Sequence, residues 1–253
     1  MKRTDFWKEL KSYTQARVGL NRTGHAIGTR ENLEFQWAHA QARDAIHTPW
    51  EVELLKEELS QMNTKGECLS TQVTDRSEYL KRPDLGRLLS NASEAKIKSL
   101  KLPRADLLIL VSNGLSSRAI HAHAGRFLRI LLPELKARSY TFEPLFFIPD
   151  ARVAIGDHLG EIVKPKLSLT LIGERPGLSS PDSMGLYLTF GPKLGKTDAD
   201  RNCISNIREP HGLSYEQAVH KTLFLLEEAL RRRLSGVQLK DESETVKLLK
   251  GAD

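Results

Sequence analysis

Cysteine is almost absent from this 253-residue chain: Cys68 and Cys203 are its two thiols. That count excludes a disulfide framework and fits a reducing compartment. No CxxC pair occurs, and the eight histidines form no HExxH or related spacing. Side chains of this chain alone are therefore not expected to hold a metal. No apolar run approaches the roughly 20 residues needed to span a bilayer. The opening MKRTDFWKEL carries charge but not the apolar stretch of a secretory signal. Long blocks of like charge are also missing. The net charge of +6 comes from 38 basic and 32 acidic residues, mostly mixed along helical patterns. The one dense run, at Arg231, Arg232 and Arg233, ends an amphipathic helix pattern, where cations complement the helix dipole. A nucleic-acid-binding role would rest on net charge alone.

What is present is enough apolar residue, 40% of the chain, to bury a core beside 28% charge. No internal repeat or low-complexity tract interrupts it, and the character changes near residue 100. Before that point the pattern is helical. A helix is expected over 30–47, capped by Thr29, with Leu33, Trp37, Ala40 and Ile46 among its apolar positions. Thr48, Pro49 and Glu51 then read as a capping box opening a second helix with Leu54, Leu55, Leu59 and Met62. Two long helices are hard to bury in a small α/β core. Residues 1–100 are therefore expected to form a helical region that meets another chain, with Trp37 and Trp50 at the contact; ordinary packing onto this chain's own sheet is the alternative.

After residue 100, strand and helix patterns alternate. Residues 105–111 form a continuous apolar run, the signature of a parallel strand covered on both faces. A helix over 118–132 stopped by Pro133, a strand over 145–148, a helix over 151–163, strands over 167–172 and 184–190, and a terminal helix over 214–234 capped by Ser214 complete the reading. The order predicts an α/β fold, a Rossmann-like doubly wound, mostly parallel sheet in residues 101–253, behind the helical N-terminal region. In such sheets ligands sit beyond the carboxyl ends of the strands. The loops at 112–117, 149–153 and 174–182 leave those ends.

The longest irregular stretch is 171–207, a strand leading into a loop dense in Gly, Pro, Ser and Asp. Loops of that length usually bind something. Glu174 follows a buried strand and belongs at the rim of a site, unless it caps or pairs with Arg175. Cys203 has no base beside it, so it reads as a buried small hydrophobe and not as a nucleophile. Val153, on the first turn after a strand, would ordinarily pack on the sheet. His121 and His123 fall on opposite helix faces and make a poor metal pair. The 112–117 loop enters a helix N-terminus, where free N–H groups favour a phosphate or amide oxygen. Without GxGxxG or Walker A, a tight turn with serine caps accounts for it equally well.

Specific strings carry the reading further. GERPGLSSPDSMGLYLTF, GKTDADRNCISNIREPHGLSYEQA, RVGLNRTGHAIGTRENLEFQWAHAQARDAIH, YLKRPDLGRLL, SNGLSSRAIHAHA, ARVAIGDHLGE and LSGVQLKD are long, irregular strings spread across nearly the whole chain. Together they make the sequence resemble the small (light) subunit of ethanolamine ammonia-lyase. Two departures stand out: Asn113 occupies a turn position where the family commonly carries Asp, and the N-terminus is short for the family. The resemblance implies a carbon–nitrogen lyase that converts ethanolamine to acetaldehyde and ammonia by a radical mechanism. It implies adenosylcobalamin as cofactor and a large (heavy) partner subunit without which the chain is inactive. It implies a bacterial cytoplasmic setting, within an ethanolamine-utilisation microcompartment. It also implies cofactor contacts at Val153, Glu174 and Cys203, with no catalytic residue on this chain. No DxHxxG string occurs, so the implied cofactor is base-on, keeping its own dimethylbenzimidazole on cobalt. The alternative left by the bare α/β pattern is a stand-alone nucleotide-binding module, against which the missing phosphate-loop glycines count.

Overall fold

The computed structural model describes residues 3–100 and 102–244. In chain order its elements are α1 (Arg3–Ser12), β1 (Arg22–Thr23), β2 (Ala26–Ile27), α2 (Thr29–His47), α3 (Val52–Ser60), β3 (Gly66–Cys68), α4 (Arg76–Lys81) and α5 (Asn91–Ser99). There follow β4 (Leu107–Ser112), α6 (Ser117–Ala119), a π turn (Ile120–Ala124), α7 (Gly125–Ala137), β5 (Leu145–Phe147), α8 (Ile155–Val163), β6 (Leu167–Gly173), β7 (Met184–Phe190), β8 (Arg201–Ile207) and α9 (Tyr215–Arg232). Six strands form one sheet in the order β3-β5-β4-β6-β7-β8. The first four run parallel, β7 is antiparallel to β6, and β8 is antiparallel to β7. The α/β class and the mostly parallel sheet expected from the sequence are both present.

The alternation of buried side chains explains the layering. Leu107, Ile109 and Val111 of β4 face the side occupied by α7 and α9, together with Phe127, Leu131, Leu169, Leu186 and Leu226. Leu108 and Leu110 face the opposite side, where Ile155 and Leu159 of α8 cover them along with Phe146 and Ile148. Leu69, Leu89 and Ile97, from the first hundred residues, complete this second layer.

Several boundaries differ from the sequence expectation. Residues 66–68, read as part of a helical region, are the outer strand β3, paired in parallel with β5. Thr48 does not open α3; it closes α2, its backbone N–H and hydroxyl both donating to the Asp44 carbonyl at 2.8 and 2.7 Å. The N-cap of α3 is Glu51, whose N–H donates to His121 Nε2 at 3.0 Å. Thr29 is the first residue of α2 and the cap position falls to Gly28. Pro133 does not stop the helix: α7 runs on to Ala137, because the fully buried Leu135 holds the next turn on the core. The predicted long loop contains β8. A β-bulge interrupts its two-residue alternation where Met184 faces Ile207 and Leu186 faces Ile204.

Trp37 and Trp50 part company. Trp37 is 67% exposed on α2, near exposed Leu33 and Phe35, whereas Trp50 packs edge-on against Phe147 of the core. Among the described residues no helix is long and apolar enough to cross a membrane.

One buried ion pair ties α8 to the far edge of the sheet. Arg201 of β8 donates to both carboxylate oxygens of Asp157, at 2.8 and 2.6 Å, and each side chain is 3% exposed. Arg201 also reaches Thr189 Oγ1 on β7, at 3.3 Å. Removing one partner strands the other charge in a dry environment. Asp157→Ala is expected to lower stability by about 3–5 kcal/mol, and Asp157→Leu combined with Arg201→Met by much less, in urea denaturation. Equal losses from the single and double changes would contradict this reading of the pair.

Candidate functional site

The three loops at the carboxyl ends of the strands meet. Asn113 accepts from the Asp150 N–H at 2.7 Å through its side-chain oxygen. Its amide nitrogen donates to Ser117 Oγ and to Asp150 Oδ1 at 3.3 and 3.2 Å. An aspartate at 113 would lack both donors and face Asp150 with like charge, so asparagine suits this turn. Arg76 adds a cation to the same cluster, bonding Asp150 and the Gly114 carbonyl. The Leu115 N–H donates to the Gly173 carbonyl at 2.9 Å, and Ser116 Oγ donates to the Pro181 carbonyl at 2.8 Å. Ser116 also caps α6, accepting from the Ala119 N–H. The polar groups of the 112–117 loop are thus largely spent inside the fold, as the tight-turn reading requires.

Next to this edge lies an open part of the sheet. Helix α8 crosses β4 and β6, where an added Cβ on Gly156 would touch Thr170 and Leu110. Its N-terminal approach carries half-buried Val153. On the same side of the sheet, Tyr187 of β7 and Cys203 of β8 are register partners. The backbone alternation that sends Leu186, Leu188 and Ile204 into the α7–α9 core sends Tyr187 and Cys203 out to this face. Tyr187 is half-buried, while Cys203 and Ser205 are exposed.

Glu174 closes the upper border of that face. It follows β6 directly, and its N–H donates to the Ser183 carbonyl at 2.9 Å. Its carboxylate accepts from Ser183 Oγ at 2.5 Å, Ser205 Oγ at 2.6 Å and the Asn206 N–H at 3.2 Å. The last two donors belong to the bulged stretch of β8, where Asn206 has a φ of +60°. Glu174 therefore joins the start of the loop to the edge strand. It lies over Gly185, where an added Cβ would come within 2.8 Å of its Oε1. The suggested pairing with Arg175 is not among its contacts.

Glu174 and Cys203, 29 positions apart by their numbering, are thus brought to one face, with Val153 on the helix approach that flanks it. Cys203 corrects two expectations, being a mid-strand residue of β8 and not a loop residue, and exposed rather than buried. Although the residue is exposed, desolvation of its thiol pushes the pKa up, the neighbouring Tyr187 hydroxyl opposes this, and the Glu174 carboxylate adds to the rise. Burial likewise pushes the Tyr187 phenol up. Both groups are neutral at physiological pH. Nearby, Arg208 donates to Asp182 and to the Ser179 carbonyl, both at 3.1 Å, fixing the far end of the 174–182 loop, while His123 bonds Tyr215 at 2.8 Å. Among the described residues no group of three or more His, Cys, Asp or Glu is arranged to hold a metal.

The ethanolamine ammonia-lyase light chain (EutC) family model matches residues 4–240. The small subunit of ethanolamine ammonia-lyase from Azotobacter vinelandii is 47% identical over 245 residues, 96% of this chain and 90% of that protein. The Pseudomonas fluorescens Pf0-1 small subunit is 47% identical over 94% of this chain and 88% of its own length. The Pseudomonas aeruginosa UCBPP-PA14 small subunit is 46% identical over 97% and 90%. The chain belongs to the ethanolamine ammonia-lyase light-chain family.

In this light chain the sequence reading overlooked Tyr187, Ser183 and Ser205, and it missed the Asp157–Arg201 tie. The signal available was the alternation of Tyr187 with Leu186 and Leu188, which marks an outward position on a strand. For Ser205 that signal was scrambled by the bulge.

The raised thiol pKa has a chemical consequence. In a Cys68→Ser background, Cys203 is expected to react with iodoacetamide more slowly at neutral pH than a small free thiol, and to accelerate as pH rises toward and beyond 9. A fast, pH-independent reaction across that range would contradict the neutral-thiol assignment.

Proposed function

We propose that this light chain acts with a large subunit as an ethanolamine ammonia-lyase, releasing acetaldehyde and ammonia from ethanolamine, and that its open sheet face carries adenosylcobalamin. The observation that carries the cofactor assignment is the meeting of Glu174 and Cys203 on an uncovered stretch of β7 and β8, flanked by the Val153 approach to α8. That surface suits the group. A corrin is a broad flat ring with an amide rim. Val153 and Cys203 offer apolar and polarizable contact, while Glu174 and Ser205 offer polar partners for amides at the border. Gly185 leaves the strand bare beneath Glu174.

When bound, adenosylcobalamin supplies a cobalt–carbon bond whose homolysis starts radical chemistry. The residues of this chain hold and orient it. Glu174, fixed by three donors, presents its carboxylate in a set direction, and the neutral thiol of Cys203 presents no charge to the ring. Substrate binding and the groups that move protons belong to the large subunit. Residues 101–253 carry the cofactor-binding face; within residues 1–100, β3, Leu69, Leu89 and Ile97 complete the sheet and its core, and the exposed Leu33, Phe35 and Trp37 of α2 serve subunit contact. The complex works in the bacterial cytoplasm, within an ethanolamine-utilisation microcompartment. The base-on state follows from the missing DxHxxG string, and the two histidines of the nearest misspaced strings are already engaged: Nδ1 of His158 accepts from the Leu89 N–H at 2.9 Å, and His123 is buried against Tyr215.

Co-expression with a large subunit is expected to give cobalamin-dependent acetaldehyde release that neither chain gives alone. In that complex Glu174→Ala should raise the apparent KM for adenosylcobalamin on the order of tenfold, with kcat changed far less. An unaltered KM would remove Glu174 from the contact set. The Co(II) state of the bound cofactor should show nitrogen coupling in its EPR spectrum that is unaffected when histidine is labelled with 15N. A labelling-dependent splitting would contradict the base-on assignment.

A further inference from the structure

Tyr187 stands where α8 stops covering the sheet. Its register partner on β6 is Thr170, which is buried under Gly156 of α8, and its partner on β8 is exposed Cys203. Two positions earlier on the same face is Gly185, which has no side chain, and beyond it Glu174. Two positions later is Thr189, buried and bonded to Arg201. Side chains that are direct cross-strand neighbours lie about 4.5–5.5 Å apart at Cβ, so the Tyr187 ring and the Cys203 sulfur form one continuous surface. Tyr187 is thus the aromatic group on the uncovered face, bounded by the Asp157–Arg201 pair below and the Glu174 cluster above.

An aromatic side chain left partly exposed on a strand beside a bare glycine stands outside the main core, whose contacts come from the opposite face of β7. It is suited to lie against a flat partner while its hydroxyl meets a polar edge. We propose that Tyr187 is a further ligand-contact residue of this face, a platform for a flat macrocycle whose hydroxyl meets an amide at the rim. This rests on the cofactor-binding reading above and adds to it a residue that carries ring contact where Glu174 carries polar contact.

The test uses the complex with the large subunit and two readouts: hydroxocobalamin binding followed by its absorbance change, and the apparent KM and kcat with adenosylcobalamin. Tyr187→Ala is expected to weaken hydroxocobalamin binding about tenfold with kcat at saturation within about twofold. Tyr187→Phe is expected to lose much less, since the ring remains. Tyr187→Leu keeps an apolar side chain on the strand and replaces the alanine variant if that one fails to fold; it too is expected to bind more weakly. Urea midpoints of the variant complexes show whether folding is intact. Parental binding by a folded Tyr187→Ala or Tyr187→Leu complex, while Glu174→Ala binds weakly, overturns the Tyr187 assignment and leaves the cofactor face standing. Parental binding by the variants of Tyr187, Val153, Glu174 and Cys203 alike overturns the face itself.

Discussion

The buried pair of Asp157 and Arg201 decides where this fold is closed and where it is open. A doubly wound sheet ordinarily carries helices on both sides. Here the helix on one side, α8, covers β4 and β6, and its Asp157 then reaches past β7 to grip the edge strand. The grip places the helix and the last two strands in a fixed relation without covering those strands. Desolvating two charges costs stability that the bidentate contact and the bond to Thr189 offset. The open face lies between that pair and Glu174.

Rigid borders surround the face. At its top, Glu174 fastens the bulge of β8 to the start of the 174–182 loop, while Asn113, Asp150 and Ser116 bind the neighbouring loops to one another. Arg208 and Asp182 fasten the loop's other end. The chemistry presented is neutral and largely polarizable: a phenol, a thiol and a valine, with one carboxylate already held by three donors. The proposed cofactor role draws on this: a surface of that kind suits holding a broad ligand in one orientation better than exchanging protons with it.

Much of this was legible in the sequence where one physical rule acted alone. The continuous apolar run of β4 marked a strand buried on both faces, and Ser214 marked the start of α9 as its cap, to which the structure adds Gln217 as the second half of a capping box. Glu174 could be placed at a strand end because nothing competes with the apolar pattern of β6. Legibility failed where tertiary contacts overrode local rules. Thr48 spends its hydroxyl on Asp44, so the capping box it suggested cannot form. The burial of Leu135 carries α7 past Pro133. The bulge of β8 breaks the alternation that would have exposed a strand, which is why Cys203 read as part of a loop. The three-residue β3 is too short to show a period and is held by its pairing with β5. The gathering of Val153, Glu174 and Cys203 came from the family resemblance and not from spacing, since their nearness depends on strand order.

The most direct measurement is a density map of the complex with its large subunit and bound hydroxocobalamin. The expected result is a corrin lying over β7 and β8, in contact with Val153, Glu174, Tyr187 and Cys203, with the large subunit closing its other face. A corrin bound wholly within the large subunit, or against the α7–α9 side of this chain, would contradict the central claim.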